Sequence, residues 1–363
     1  MVMSWLLSAV LMVFSSVITV LPVKVTSNFE NYWGVSLNRD CGFSEPLDNG
    51  QALWLFCDTA WNDFNGSHFI PGSTAAVGPY SAGLVPTQLN ELSTPPGPPP
   101  KPPHYGGPSQ FLPAPAGLLN PSGQPCTPNV GQYPASWITG IATITPDNLL
   151  ITYADLCVTQ TEKPFFIQGF GIAEYNPATN AVTARTTVFS TPGLQLPAAK
   201  ILGSPIYTGG FLYLYGFECT NWFSGVCVNG STNVARTDSW RTPGNYQWYS
   251  QGAFVYSYAQ ATNIIPSAAA GVSVHRFGSA GLHAIVQKDL GGGFEVWRAA
   301  TPAGPWIQRS TGKVACSGGS GHDLCRALTG HPELSTPDHM MVSYFNPGSG
   351  HVEAALVPWD SRK

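Results

Sequence analysis

Charge is the scarcest property of this chain. Asp, Glu, Lys and Arg together make up 10% of its 363 residues, with 16 basic against 20 acidic side chains. A net charge of -4 leaves no basic face for a nucleic acid. No stretch sustains heptads or a long 3.6-residue period, which argues against a helical bundle or coiled coil. No C-x-x-C occurs and the histidines are scattered, so the expected metal site is none, zinc being the rival reading of the cysteines. The expected cofactor is none.

Abundance points the other way. Aromatic residues reach 12%, with 39 Gly and 33 Pro. That mixture suits short strands joined by tight turns. Eight cysteines fit disulfides in an exported protein. Cys219 with Cys227 and Cys316 with Cys325 each flank a short loop and form the expected local pairs. Cys41, Cys57, Cys126 and Cys157 then pair among themselves in an order the sequence leaves open. The uncharged run Trp5 to Val23 reads as a signal peptide within residues 1–27, or as a retained N-terminal anchor. The expected location is secreted, and the expected state is a monomer with no membrane partner unless that run is retained.

Residues 93–135 are dense in Pro and Gly, and Pro cannot donate to a strand ladder. Around this insertion the chain repeats one pattern: a small or polar start, a strand, a tight turn, then an apolar strand. The five copies begin at Asp40 and near residues 137, 203, 271 and 330, leaving room for two more strands in each unit. Five units of about four strands predict an all-β fold, a single five-bladed β-propeller over 28–363 with the insertion in or after the first blade. A β-sandwich is the alternative. In a propeller the first strand of each blade lines the channel, and its start shares a rim with the end of the second strand. That geometry gathers Asp40, Asp58, Asp155, Ser204, Glu218, His275, Arg276 and His331 into one expected ring.

Asp40 and Asp58 stand out within it. They flank one hairpin turning at Asp48-Asn49-Gly50, a strong turn signal. Two carboxyls about 5–10 Å apart are what glycosidic hydrolysis needs, one as proton donor and one to attack or to activate water. Regular pairing sets Asp40 across from Thr59 and Asp58 across from Cys41, on opposite faces. Both can face the channel only if the ladder is irregular at residues 40–44 or 56–59. Asp155, Glu218, His275, Arg276 and His331 are the candidate substrate-binding residues.

The stretches Arg39-Asp40-Cys41-Gly42-Phe43-Ser44, Leu55-Phe56-Cys57-Asp58-Thr59 and Leu202-Gly203-Ser204-Pro205-Ile206 carry a family resemblance. So do Ser273-Val274-His275-Arg276, Ala303-Gly304-Pro305-Trp306 and Gly330-His331-Pro332-Glu333-Leu334-Ser335. In this order they resemble a family of secreted five-bladed propellers that includes endo-D-arabinanases, which cleave the D-arabinan of mycobacterial arabinogalactan and lipoarabinomannan. The resemblance implies a secreted endo-acting hydrolase of furanosidic linkages, with Asp40 and Asp58 as its acid/base or nucleophile pair and a polysaccharide as partner. Where that family has Gly before the second aspartate, this chain has Cys57, a change compatible with a disulfide in the hairpin. A non-catalytic carbohydrate-binding propeller and an adhesive surface protein are the alternative functions.

Overall fold

The computed structural model describes residues 17–18, 21–24, 36–63, 66–86, 89–92, 108–128, 131–160, 165–190, 202–223, 226–268, 271–316 and 325–359. Their strands form five small sheets set around one axis as the blades of a propeller. Blade 1 runs outward through Leu37–Pro46, Gln51–Asp63, Thr74–Pro79 and Asn90–Leu92, and Gly66–Ile70 pairs with the far part of its second strand. Blade 2 holds Gln132–Thr145, Asn148–Thr159, Phe165–Asn176 and Ala181–Ser190. Blade 3 begins with Leu202–Thr208, Phe211–Phe223 and Val226–Thr237. Blade 4 holds Gly271–Phe277, Gly281–Gln287, Gly293–Ala299 and Ile307–Lys313. Blade 5 holds Arg326–His331, His339–Asn346 and His351–Pro358, and the N-terminal strand Leu21–Lys24 completes it by pairing antiparallel to the last of these.

The second strands explain why the apolar runs do not alternate. Ala52 to Cys57 and Leu149 to Cys157 are buried continuously. A blade is covered on both faces by its neighbours, so every side chain of such a strand meets a core. Each blade interface has its own apolar cluster. Leu53, Leu55, Ile138 and Ile151 join blades 1 and 2, Leu150, Ile172, Leu212 and Leu214 join blades 2 and 3, and Tyr215, Val234, Val274 and Ala284 join blades 3 and 4. Ile285, Val296, Met340 and Val342 join blades 4 and 5, and Trp54, Phe56, Met341 and Ala354 close the ring between blades 5 and 1.

A part of the described Pro-rich insertion is core, lying between blades 1 and 2. Phe111 and Leu112 are buried in that interface, with both backbone N–H groups held by Ser73. The Cys126–Cys157 disulfide ties its far end to blade 2. Residues 132–135, counted with the insertion on composition, open the inner strand of blade 2. The Cys316–Cys325 pair forms as its spacing predicts, and Cys41 joins Cys57. The side chain of Cys227 lies outside the described residues.

Small hydroxyls stitch the inner strands around the channel. Ser204 Oγ accepts from Val274 N–H at 2.5 Å, Ser273 Oγ meets Thr329 Oγ1 at 2.8 Å, and Ser44 Oγ meets His331 Nδ1 at 2.5 Å. Between blades 2 and 3 the backbones approach so closely that a Cβ on Gly140 would sit 2.4 Å from Pro205 Cδ. Among the described residues a central cavity of about 10 Å³, lined by Ser44, Ser273, His275 and Thr329, has room for about one water.

Candidate active site

The hairpin of blade 1 is irregular at the position that matters. Arg39 pairs with Thr59 and Cys41 with Phe56, so an extra residue of the second strand is accommodated there. Phe43 then pairs with Leu55, and Gly42 is the extra residue of the first strand. The backbone absorbs this double bulge in the left-handed region, with φ of 68° at Cys41 and 114° at Gly42. The Cys41–Cys57 disulfide spans the irregularity. The expected break in the ladder is present, and it brings Asp40 and Asp58 close enough that the Asp40 charge helps raise the pKa of Asp58.

Each acid has its own set of partners. Asp58 accepts from Gly72 N–H at 2.7 Å, from the Tyr133 hydroxyl at 2.7 Å and from the Trp137 indole N–H at 3.1 Å. Burial pushes its pKa up to about 6; the three hydrogen bonds oppose that shift and Asp40 adds to it. Asp40 is ion-paired with Arg326 across the ring closure, Nε to Oδ2 at 2.7 Å, and accepts from Cys41 N–H at 2.8 Å. The Arg326 guanidinium lies 4.3 Å from the centre of the Phe345 ring. Tyr133 is pushed above its ordinary range by burial and by Asp58, so it stays a phenol. Both acids keep part of their surface in solvent. Blades 1, 2 and 5 thus converge on one mouth of the channel, with two carboxyls, a phenol, an indole and a guanidinium.

Other expected ring members lie elsewhere. Asp155 is buried in blade 2, where its Oδ1 accepts from Ser136 Oγ and from Arg185 Nη2, both at 2.6 Å. Arg185 also donates to the Pro113 carbonyl and covers the Tyr153 ring, so Asp155 helps dock the insertion. His331 is fully buried between blades 5 and 1, between Ser44 and Ser343 and stacked on Trp54 at 5.1 Å. His275 faces the central cavity, with Nε2 2.5 Å from Ser273 Oγ. Burial pushes it down to about 4, with His331 adding to the effect. Arg276 is exposed. The side chain of Glu218 lies outside the described residues.

Sequence reasoning missed Arg326 and Tyr133. The repeat pattern starts the fifth unit near Gly330, but its inner strand is Arg326–His331 and ends where Pro332 begins a 3₁₀ turn. Pro at 332 was the available signal: lacking an N–H, it marks the end of the ladder, so the strand must lie before it. Tyr133 was hidden inside the segment counted as insertion. Deeper in the channel, Glu333 shares Ser44 with His331, and Glu45 accepts from Thr143 N–H at 3.1 Å. Burial pushes Glu45 up to about 7.

Comparison with solved structures places the fold among known propellers. A putative hydrolase from Bacteroides ovatus ATCC 8483 superposes with a TM-score of 0.60 at 16% identity, over 94% of this chain and 93% of its own. Zg3597, a family 117 glycoside hydrolase produced by the marine bacterium Zobellia galactanivorans, gives 0.50 at 11% identity, over 94% and 90%. At these identities the likeness is one of fold. No curated protein matches the sequence. A family model does match, over residues 141–354, and the chain belongs to that family, described as Domain of unknown function (DUF5005).

Proposed function

We propose that this protein is a secreted glycoside hydrolase that cleaves furanosidic linkages in a polysaccharide, acting within chains of D-arabinan. The observation that carries the reading is the Asp40–Asp58 pair, two partly exposed carboxyls on one bulged hairpin with different surroundings. Asp58, raised to about 6, is the proton donor. Once protonated it reverses the contact to Tyr133 and donates to the phenol oxygen, until a glycosidic oxygen takes the proton. Asp40, ion-paired with Arg326, attacks the anomeric carbon or takes a proton from the water that does. The C–O bond breaks, the leaving hydroxyl keeps the proton from Asp58, and water supplies the replacement oxygen.

The substrate rests on the resemblance to endo-D-arabinanases, and the name of the Zobellia galactanivorans neighbour is in keeping with glycosidase chemistry. Disulfides among the described residues support an oxidising destination. Incubation with a panel of D-arabinan, L-arabinan, fructan and xylan tests the reading. It predicts internal cleavage of D-arabinan to oligosaccharides. Release from xylan alone overturns the furanose assignment, and binding without product from any polymer overturns the hydrolase.

A further inference from the structure

The opposite mouth of the propeller carries a second recess that the proposed chemistry does not use. Inner strands run from the Asp40 mouth to the far one, and the turn after Phe277, the Thr336-Pro337 loop and Trp359 all lie at the far end. Between blades 4 and 5 these segments enclose an open pocket of about 360 Å³, within the range of small-molecule sites. Its walls include Arg298, Arg309, His283, Ser279 and Trp359, over a floor with Met340.

Two features of this pocket point to a ligand. First, it gathers positive charge, with no carboxylate among its described lining residues. Arg298 sits across the ladder from His283. Arg309 is the extra residue of a bulge, since Val296 pairs with Ser310 and Trp297 with Gln308. Arg298 and Arg309, on neighbouring strands, thus bring two guanidinium groups to the same pocket. Among the described residues neither arginine has an ion-pair partner, and no carboxylate lines the pocket. This occurs in a chain that is acidic overall and poor in charge. Secondly, the wall is aromatic and held in place. The Trp359 indole donates to Thr336 O at 3.0 Å, and its ring packs against His283 at 5.1 Å and Phe277 at 5.3 Å.

Guanidinium groups match the planar fork of a carboxylate or the oxygens of a phosphate, and an oriented indole offers a flat apolar face for a ring. We propose that the pocket between blades 4 and 5 binds an oxyanion carried on a sugar-sized ring, with Arg298 and Arg309 on the anion and Trp359 beside the ring. The site lies on the mouth opposite Asp40 and Asp58, and the inference does not depend on the glycosidase reading.

Calorimetric titration of the full chain with D-glucuronate, glucose 6-phosphate, inorganic phosphate and D-glucose tests it. At least one of the two charged sugars should bind ten-fold or more tightly than D-glucose and than inorganic phosphate, and which of them does so tells carboxylate from phosphate. Affinity should fall as NaCl is raised from about 0.05 to 0.5 M, where screening is stronger. Arg298→Gln and Arg309→Gln should each weaken binding ten-fold or more, and Asp40→Asn should leave it unchanged. Equal binding of D-glucose or inorganic phosphate, salt-independent binding, or no saturable heat overturns the site on the unmodified protein alone. Undiminished binding by both folded arginine variants overturns it as well.

Discussion

Asp58 is pulled in two directions, and the balance is open to measurement. Burial and the Asp40 charge favour its neutral form, while Tyr133, Trp137 and Gly72 stabilise its charged form. If Asp58 delivers the proton, kcat/KM falls on the alkaline side as pH rises through about 6. Tyr133→Phe removes a hydrogen bond to the charged form, so the Asp58 pKa rises and the alkaline limb moves to higher pH. A limb that stays in place or moves down contradicts this role for Tyr133. One residue before Asp40, Arg39 forms a buried ion pair with Glu91 and covers the Phe56 ring at 4.2 Å. Glu91→Ala strands a buried guanidinium and is expected to cost about 3–5 kcal/mol in urea unfolding. Replacing both residues by Leu should recover most of that loss. The scarcity of acids made Asp40 and Asp58 legible in the sequence. Their partners were not, because Tyr133 and Arg326 reach them from other blades and no local pattern encodes a contact across 75 or 286 residues.

At the level of elements, the bulge shapes the candidate site on the first hairpin. A regular ladder would turn the two acids to opposite faces; here the ladder is broken at Cys41 and Gly42, and the Asp40 charge acts on Asp58. Similar breaks interrupt three other inner strands, midway along at Gly140, and near the start at Ser204 with φ of 46° and at Ala327 with φ of 57°. Irregular entry to the channel is thus a repeated device of this propeller, and blade 4 alone pairs its first two strands without a shift. A methyl group on Gly42 would lie 2.7 Å from Val352 Cγ1 in a backbone conformation that L-residues rarely adopt. Gly42→Ala should therefore destabilise by about 1–3 kcal/mol, read as a lower urea midpoint. Activity should fall with it as the acids lose their alignment, and wild-type stability with full activity would contradict the role given to the bulge. Strand periodicity made the hairpins readable because each turn sits between apolar runs. The fifth was misplaced by a few residues, since a short strand ending at Pro332 leaves little apolar pattern ahead of it.

For the molecule as a whole, five interfaces share the burial and a terminal strand closes the ring. The five-unit repeat was legible because each blade must bury both faces, which writes the same apolar run into every unit. Closure was not, because Leu21–Lys24 lies within residues 1–27, the segment expected to be a signal peptide or an anchor, and cleavage after it would remove the closing strand. Deleting residues 1–24 leaves His351–Pro358 as an unpaired edge, so the shortened chain should melt at lower temperature and self-associate more readily in light scattering. An unchanged melt would mean that the closure contributes little. The convergence of blades 1, 2 and 5 on two carboxyls is the central claim, and one comparison addresses it directly: D-arabinan cleavage by the unmodified protein beside Asp40→Asn and Asp58→Asn, with folding checked by circular dichroism. The account predicts that each variant folds and loses activity by about 10²–10⁴-fold. Wild-type rates in both folded variants would contradict it.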